Sequence, residues 1–160
     1  MALGPSITLR VGDVAPPFEA SASGGGTVSL AALRGRSVVL YFYPKDDTPG
    51  CTTEACGFRD AHADFARRDA VVLGVSPDSA KAHDRFVAKF ELPFTLVSDP
   101  DHRIATAYGV WGEKKFMGRT YQGVHRSTFL VGPDGRIVAI WPSVKPADHP
   151  AEVLAALGAG

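Results

Sequence analysis

The chain has 160 residues, 45% of them apolar, which is the size of one domain with enough apolar surface for a single core. Seventeen Lys and Arg balance seventeen Asp and Glu, so no basic field exists to gather nucleic acid or anionic lipid. No apolar run nears the roughly 20 residues that span a bilayer, and the opening residues lack a basic stretch followed by an apolar one, so one cytoplasmic domain over 1–160 is expected.

Residues 1–6 carry no periodic pattern and are expected to be flexible. Ser21 to Gly26 reads as a glycine-rich turn between two short strand-like pieces, and without nucleotide spacing after a strand it is no phosphate loop. Ser37 to Tyr43 is a continuous apolar, β-branched and aromatic run that stops at Pro44, the pattern of a central strand buried on both faces. Cys51 to Arg68 has helical spacing. Val71 to Val75 is a further strand, followed by a helix over Ser79 to Phe90 with Phe86, Val87 and Phe90 on one face. Phe94 to Val97 is strand-like and His102 to Tyr108 helical. Ser127 to Val131 and Ile137 to Trp141 flank Pro133-Asp134-Gly135, a turn sequence suited to a hairpin. A last helix is predicted over Pro150 to Leu157, with Val153, Leu154 and Leu157 as its buried stripe and Gly158 as its end. Strands alternating with helices and closing on a hairpin predict an α/β sandwich with a mixed central sheet flanked by helices.

Two cysteines are too few for a secreted disulfide framework, and a reducing compartment keeps them as thiols unless they cycle. Both lie in the segment that leaves the central strand, where ligands of α/β folds collect. Thr48 has the type of an N-cap, Pro49 suits the first helical position, and Cys51 then falls at the third. There the sulfur faces unpaired N–H groups and the positive end of the helix dipole, which favour thiolate over thiol. Gly50 is costly in a first helical turn unless a ligand approaches the backbone closely. The competing reading is that Cys51 is a small buried hydrophobe.

Cys56 follows five residues on. An ideal helix separates the two Cα atoms by roughly 8 to 9 Å, beyond the limit of about 7 Å for a disulfide. If the two bond, the first turns of this helix must unwind, which fits a cycle between a formed and a melted helix start. Alternatively Cys56 faces the core beside Phe58, His62 and Phe65.

The histidines, His62, His83, His102, His125 and His149, show no ligand spacing, and neither metal nor cofactor is expected. Trp111 and Trp141 read as packing residues, and Lys114-Lys115 as a solvated pair. On its own, Arg126 reads as a surface charge.

The spacing Pro44-x-x-x-Thr48-x-x-Cys51 resembles the active-site signature of peroxiredoxins. Val11 to Phe18 is similar to that family's opening strand. Tyr108 to Lys114, Gly118 to Tyr121 and His125 to Leu130 resemble its bacterioferritin comigratory protein, or peroxiredoxin Q, branch, so that the likeness covers roughly residues 8–157. The glycine-rich turn over Ser21 to Gly26 departs from the branch.

The resemblance implies a thioredoxin-like fold and a thiol-dependent peroxidase. It implies Cys51 as the peroxidatic cysteine, Cys56 as the resolving one, and Arg126 as donor to the thiolate and the peroxide oxygens. Thr48 would hydrogen-bond the peroxide, Pro44 would shield the sulfur, and Glu54 would position Arg126. The implied partners are a peroxide and thioredoxin or a similar dithiol, acting on a monomer. A disulfide-exchange enzyme would keep its cysteines within one helical turn, and a binding module would not need Cys51, Thr48 and Arg126 together.

Overall fold

The computed structural model describes residues 5–158. The expected flexible start over residues 1–6 falls mostly outside that range; Ser6, inside it, donates its amide to the carbonyl of Gly109 at 2.8 Å. The centre is a five-stranded sheet of β3 (Ser37–Phe42), β4 (Ala70–Ser76), β5 (Thr95–Ser98), β8 (Ser127–Val131) and β9 (Ile137–Trp141), in the order β5-β4-β3-β8-β9. β4 runs parallel to β3 and β5 to β4, while β8 pairs antiparallel with both β3 and β9 and alone opposes the other four strands, so the sheet is mixed as predicted.

β3 sits in the middle because neither of its faces is polar. Val38, Leu40 and Phe42 point into one apolar cluster with Ile104, Tyr108 and Phe129. Val39, Tyr41 and Tyr43 point into the other, with Phe58, Phe65 and Phe86. The alternation is the strand period of two, feeding two cores on opposite faces. The helices α1 (Pro49–Asp60), α2 (His62–Arg67), α3 (Ala80–Phe90) and α5 (His149–Leu157) line the second cluster, and α4 (Arg103–Ala107) the first. Phe58 lies fully buried at 4.8 Å from Tyr41 in a stacked pair, and truncating it to alanine would cost about 3 to 5 kcal/mol. No helix of the described residues is long and apolar enough to cross a membrane.

Three sequence expectations change. The helical segment predicted from Cys51 to Arg68 breaks at Ala61, because α1 packs on α5 whereas α2 packs on β4, and one straight rod could not serve both partners. Residues 11–18 form no strand. Val14 makes only an isolated bridge to Arg136, and Pro16-Pro17 has no amide hydrogens to donate to a ladder. A hairpin absent from the sequence expectations, β6 (Trp111–Phe116) and β7 (Arg119–Val124), turns on Met117-Gly118, both at positive φ. The glycine-rich turn does join two short antiparallel strands, β1 (Glu19–Ser21) and β2 (Thr27–Ser29).

Candidate active site

The carboxyl end of β3 hands the chain to α1 through residues 43–48. Thr48 stands at the N-cap with extended backbone, Pro49 is the first helical residue and Cys51 the third. Thr52 makes the first helical bond, to Thr48 O at 2.8 Å, so the amides of Gly50 and Cys51 precede the ladder and are free to meet an anion. The capping bond expected of Thr48 is absent. Its hydroxyl instead donates to Lys45 O at 3.0 Å, across the tight loop that precedes the helix.

Cys51 is buried, and its sulfur accepts a hydrogen bond from Arg126 Nη2 at 3.2 Å. Arg126 Nη1 donates to Glu54 Oε1 at 2.7 Å, so one planar guanidinium bridges the sulfur and the carboxylate. Glu54 sits one turn below Cys51 with its side chain wholly buried. Burial raises its carboxyl to about 7, against the opposing pull of Arg126. Gly50 completes the fit: a Cβ there would stand 3.1 Å from Arg126 Nη2. The close approach inferred for this glycine is thus made by an arginine of the chain itself.

The structure therefore gathers Cys51, Glu54 and Arg126 into direct contact and places Thr48 and half-buried Pro44 in the loop beside them. Cys56 lies further along the same helix, half-buried, and both thiols are free. Its spacing along an unbroken helix holds it beyond disulfide reach of Cys51.

The loop is fastened from behind. Asp46 accepts hydrogen bonds from Tyr43 Oη at 2.5 Å and from the fully buried His83 at 2.7 Å, and its amide donates to Asp78 Oδ2 at 2.8 Å. The second nitrogen of His83 donates to Val97 O at 2.9 Å. Asp46, Asp78 and His83 thus bring possible ligand atoms within 4.8 Å of one another. Their mutual hydrogen bonds account for that closeness, and the group holds a loop in place. Sequence spacing gave no sign of it, since Asp46 and His83 are 37 residues apart. At the other end of α1, Gly57 lies against Pro150 of α5, where a Cβ would stand 3.0 Å from Pro150 Cγ.

Lys114 departs from the expected solvated pair. Lys115 is exposed as a solvated lysine should be, but Lys114 is half-buried and its ammonium donates to Val124 O at 2.9 Å. With Arg126, His125, Pro5, Pro142 and Val144 it lines an open hollow of about 320 Å³ beside the guanidinium. The one local signal was Met117-Gly118 itself, a two-residue hairpin turn.

A cysteine at a helix start, held by a paired arginine at the carboxyl end of the central strand, defines a thiol-based redox protein. Comparison with known proteins narrows this. The model of the AhpC/TSA family matches residues 11–140. Peroxiredoxin Bcp of Bacillus subtilis is 50% identical over 151 residues, which cover 94% of this chain and 96% of that protein. Peroxiredoxin Bcp of Escherichia coli is 44% identical over 146 residues, 91% of this chain and 94% of that one. A solved structure of Xanthomonas campestris peroxiredoxin Q superposes with a TM-score of 0.86 at 44% identity, covering 96% of this chain and 98% of the other. The chain belongs to the AhpC/TSA family, in the bacterioferritin comigratory protein, or peroxiredoxin Q, branch of the peroxiredoxins. Its fold is accordingly the thioredoxin-like sandwich.

Proposed function

We propose that this peroxiredoxin reduces hydrogen peroxide and organic hydroperoxides at Cys51 and closes its cycle through Cys56 and a thioredoxin-like dithiol. The observation that carries the reading is the 3.2 Å contact of Arg126 Nη2 with Cys51 Sγ at the amino end of α1. Support comes also from a structural neighbour, the Xanthomonas campestris bacterioferritin comigratory protein, which has alkyl peroxide reduction activity.

In the first step the Cys51 thiolate attacks the terminal peroxide oxygen. The S–O bond forms as the O–O bond breaks, Cys51 becomes a sulfenic acid, and the departing alkoxide or hydroxide takes a proton from water. Negative charge moves from sulfur to the leaving oxygen, so donors fixed at both positions lower the barrier more than groups that bind peroxide alone. Arg126 and the free amides of the first turn are such donors. Thr48 hydrogen-bonds the peroxide, Pro44 shields the sulfur, and Glu54 orients the guanidinium. In the second step the Cys56 thiol displaces the sulfenic hydroxyl as water and an internal disulfide forms, which a dithiol then reduces by exchange. A reducing, cytoplasmic setting and a single copy of the chain suit that cycle.

Replacing Cys51 by serine tests it. Peroxide consumption by the reduced protein should fall to the uncatalysed background, and peroxide treatment of the parent should yield a Cys51–Cys56 linkage by mass spectrometry. Turnover by Cys51→Ser at the parent rate, or a product joined only between chains, would overturn the reading.

A further inference from the structure

An attacking thiolate at Cys51 needs a counter-charge that Arg126 does not supply alone. The guanidinium is shared between Cys51 Sγ at 3.2 Å and Glu54 Oε1 at 2.7 Å. At and above the pH where Glu54 ionises, about 7, its carboxylate cancels the guanidinium charge. A thiolate beside that neutral pair leaves the group net negative in a half-dry setting, where charge is poorly screened.

Lys114 is a second cation beside the guanidinium that holds the sulfur. Its ammonium is fixed on the carbonyl of Val124, two residues before Arg126, and lines the same hollow as the guanidinium. No ion pair among the described residues engages it. The hairpin is shaped to admit its stem. Lys114 pairs with Tyr121 across the ladder, and a Cβ on Gly123 would stand 3.0 Å from Lys114 Cδ. Burial and then Arg126 lower the Lys114 ammonium from its ordinary value, while Cys51 pulls in the opposite direction. Two other titratable groups of the site, Tyr41 and His125, add no cation at neutral pH. Burial holds Tyr41 of β3 far above its ordinary range, and His125, lowered by burial, is tied to Glu113 O at 3.0 Å.

We infer that Lys114 is a positioning residue of this site, whose ammonium provides the net positive charge that keeps Cys51 a thiolate beside an arginine already paired with Glu54. The inference rests on the reading of Cys51 as the attacking thiolate. Its test is the pH profile of Cys51 alkylation by iodoacetamide in a Cys56→Ser background, where one thiol reports. Lys114→Met keeps the stem and removes the charge, and should move the profile up by about half to one pH unit. Its peroxide rate at pH 7 should fall by up to about tenfold. Lys114→Arg should restore both. A Lys114→Met profile that overlays the parent, or a Lys114→Arg profile displaced as far as that of Lys114→Met, would overturn the assignment. Peroxide consumption by Cys51→Ser would instead sink the peroxidase reading, and leaves the alkylation result standing.

Discussion

Gly50 and Arg126 are fitted to one another: the bare Cα of the glycine leaves just the space that Nη2 occupies on its way to the Cys51 sulfur. Gly50→Ala therefore sets two effects against each other. Alanine in a first helical turn should stabilise α1 by about 0.5 to 1 kcal/mol, since glycine loses more backbone freedom on folding. The added methyl should push the guanidinium off the sulfur and slow the peroxide step by about tenfold. Stopped-flow peroxide kinetics beside thermal melts read both, and a variant of undiminished rate shows that Arg126 gives way without cost.

Arg126→Lys removes the fork that reaches Glu54 and Cys51 at once. A single ammonium cannot donate along both directions, so charge is kept while the geometry is lost. The second-order rate with peroxide should drop by about 100-fold, the scale of losing one donor from a preorganised anion site. Equal rates for the lysine variant and the parent would show that only charge matters there.

Cys56→Ala should leave the first peroxide step intact and let Cys51 accumulate as sulfenic acid, then as sulfinic acid on excess peroxide. In the parent, oxidation should speed amide exchange over residues 50–56, because the disulfide cannot form across an intact helix. Hydrogen exchange with mass detection checks this; an oxidised parent whose α1 exchanges as slowly as the reduced form contradicts it.

Two buried groups give the fold opposing pH slopes. Burial lowers His149 from its ordinary 6.5, more than Glu152 raises it. As pH falls through about 6.5 the unfolded chain takes up a proton that the folded chain resists, and stability is lost. Glu54, raised to about 7 from 4.5, acts the other way. Between those values the unfolded chain releases a proton that the folded chain keeps, so stability falls as pH rises. Melts from pH 4.5 to 8 should show His149→Gln losing less stability than the parent on acidification, and Glu54→Gln losing less on the approach to pH 7. Slopes identical to the parent's would show that neither group governs the dependence.

What the sequence could reveal was set by how local each feature is. β3 and the start of α1 were legible because burial on both faces and the Thr48-Pro49-Gly50 run are written in consecutive residues. Arg126 lies 75 residues from Cys51, and only the family likeness pointed to it. Lys114 escaped because its place depends on strand register and on a missing side chain at Gly123, neither of which spacing alone encodes. The break at Ala61 escaped because it reflects the different partners of α1 and α2.

The fastening of Asp46 on one side and the seat of Gly57 on Pro150 on the other make residues 47–56 a short span between two fixed supports. Melting that begins at Thr48 can travel only about two turns before it meets an abutment set in the core. The span re-forms by adding turns to a surviving end, with no new nucleus to build, so its closing belongs to the helix–coil range of about 0.1 to 1 μs. In the proposed cycle, regaining the helix should then be far faster than the arrival of a reductant, which would leave the pace to encounters between molecules.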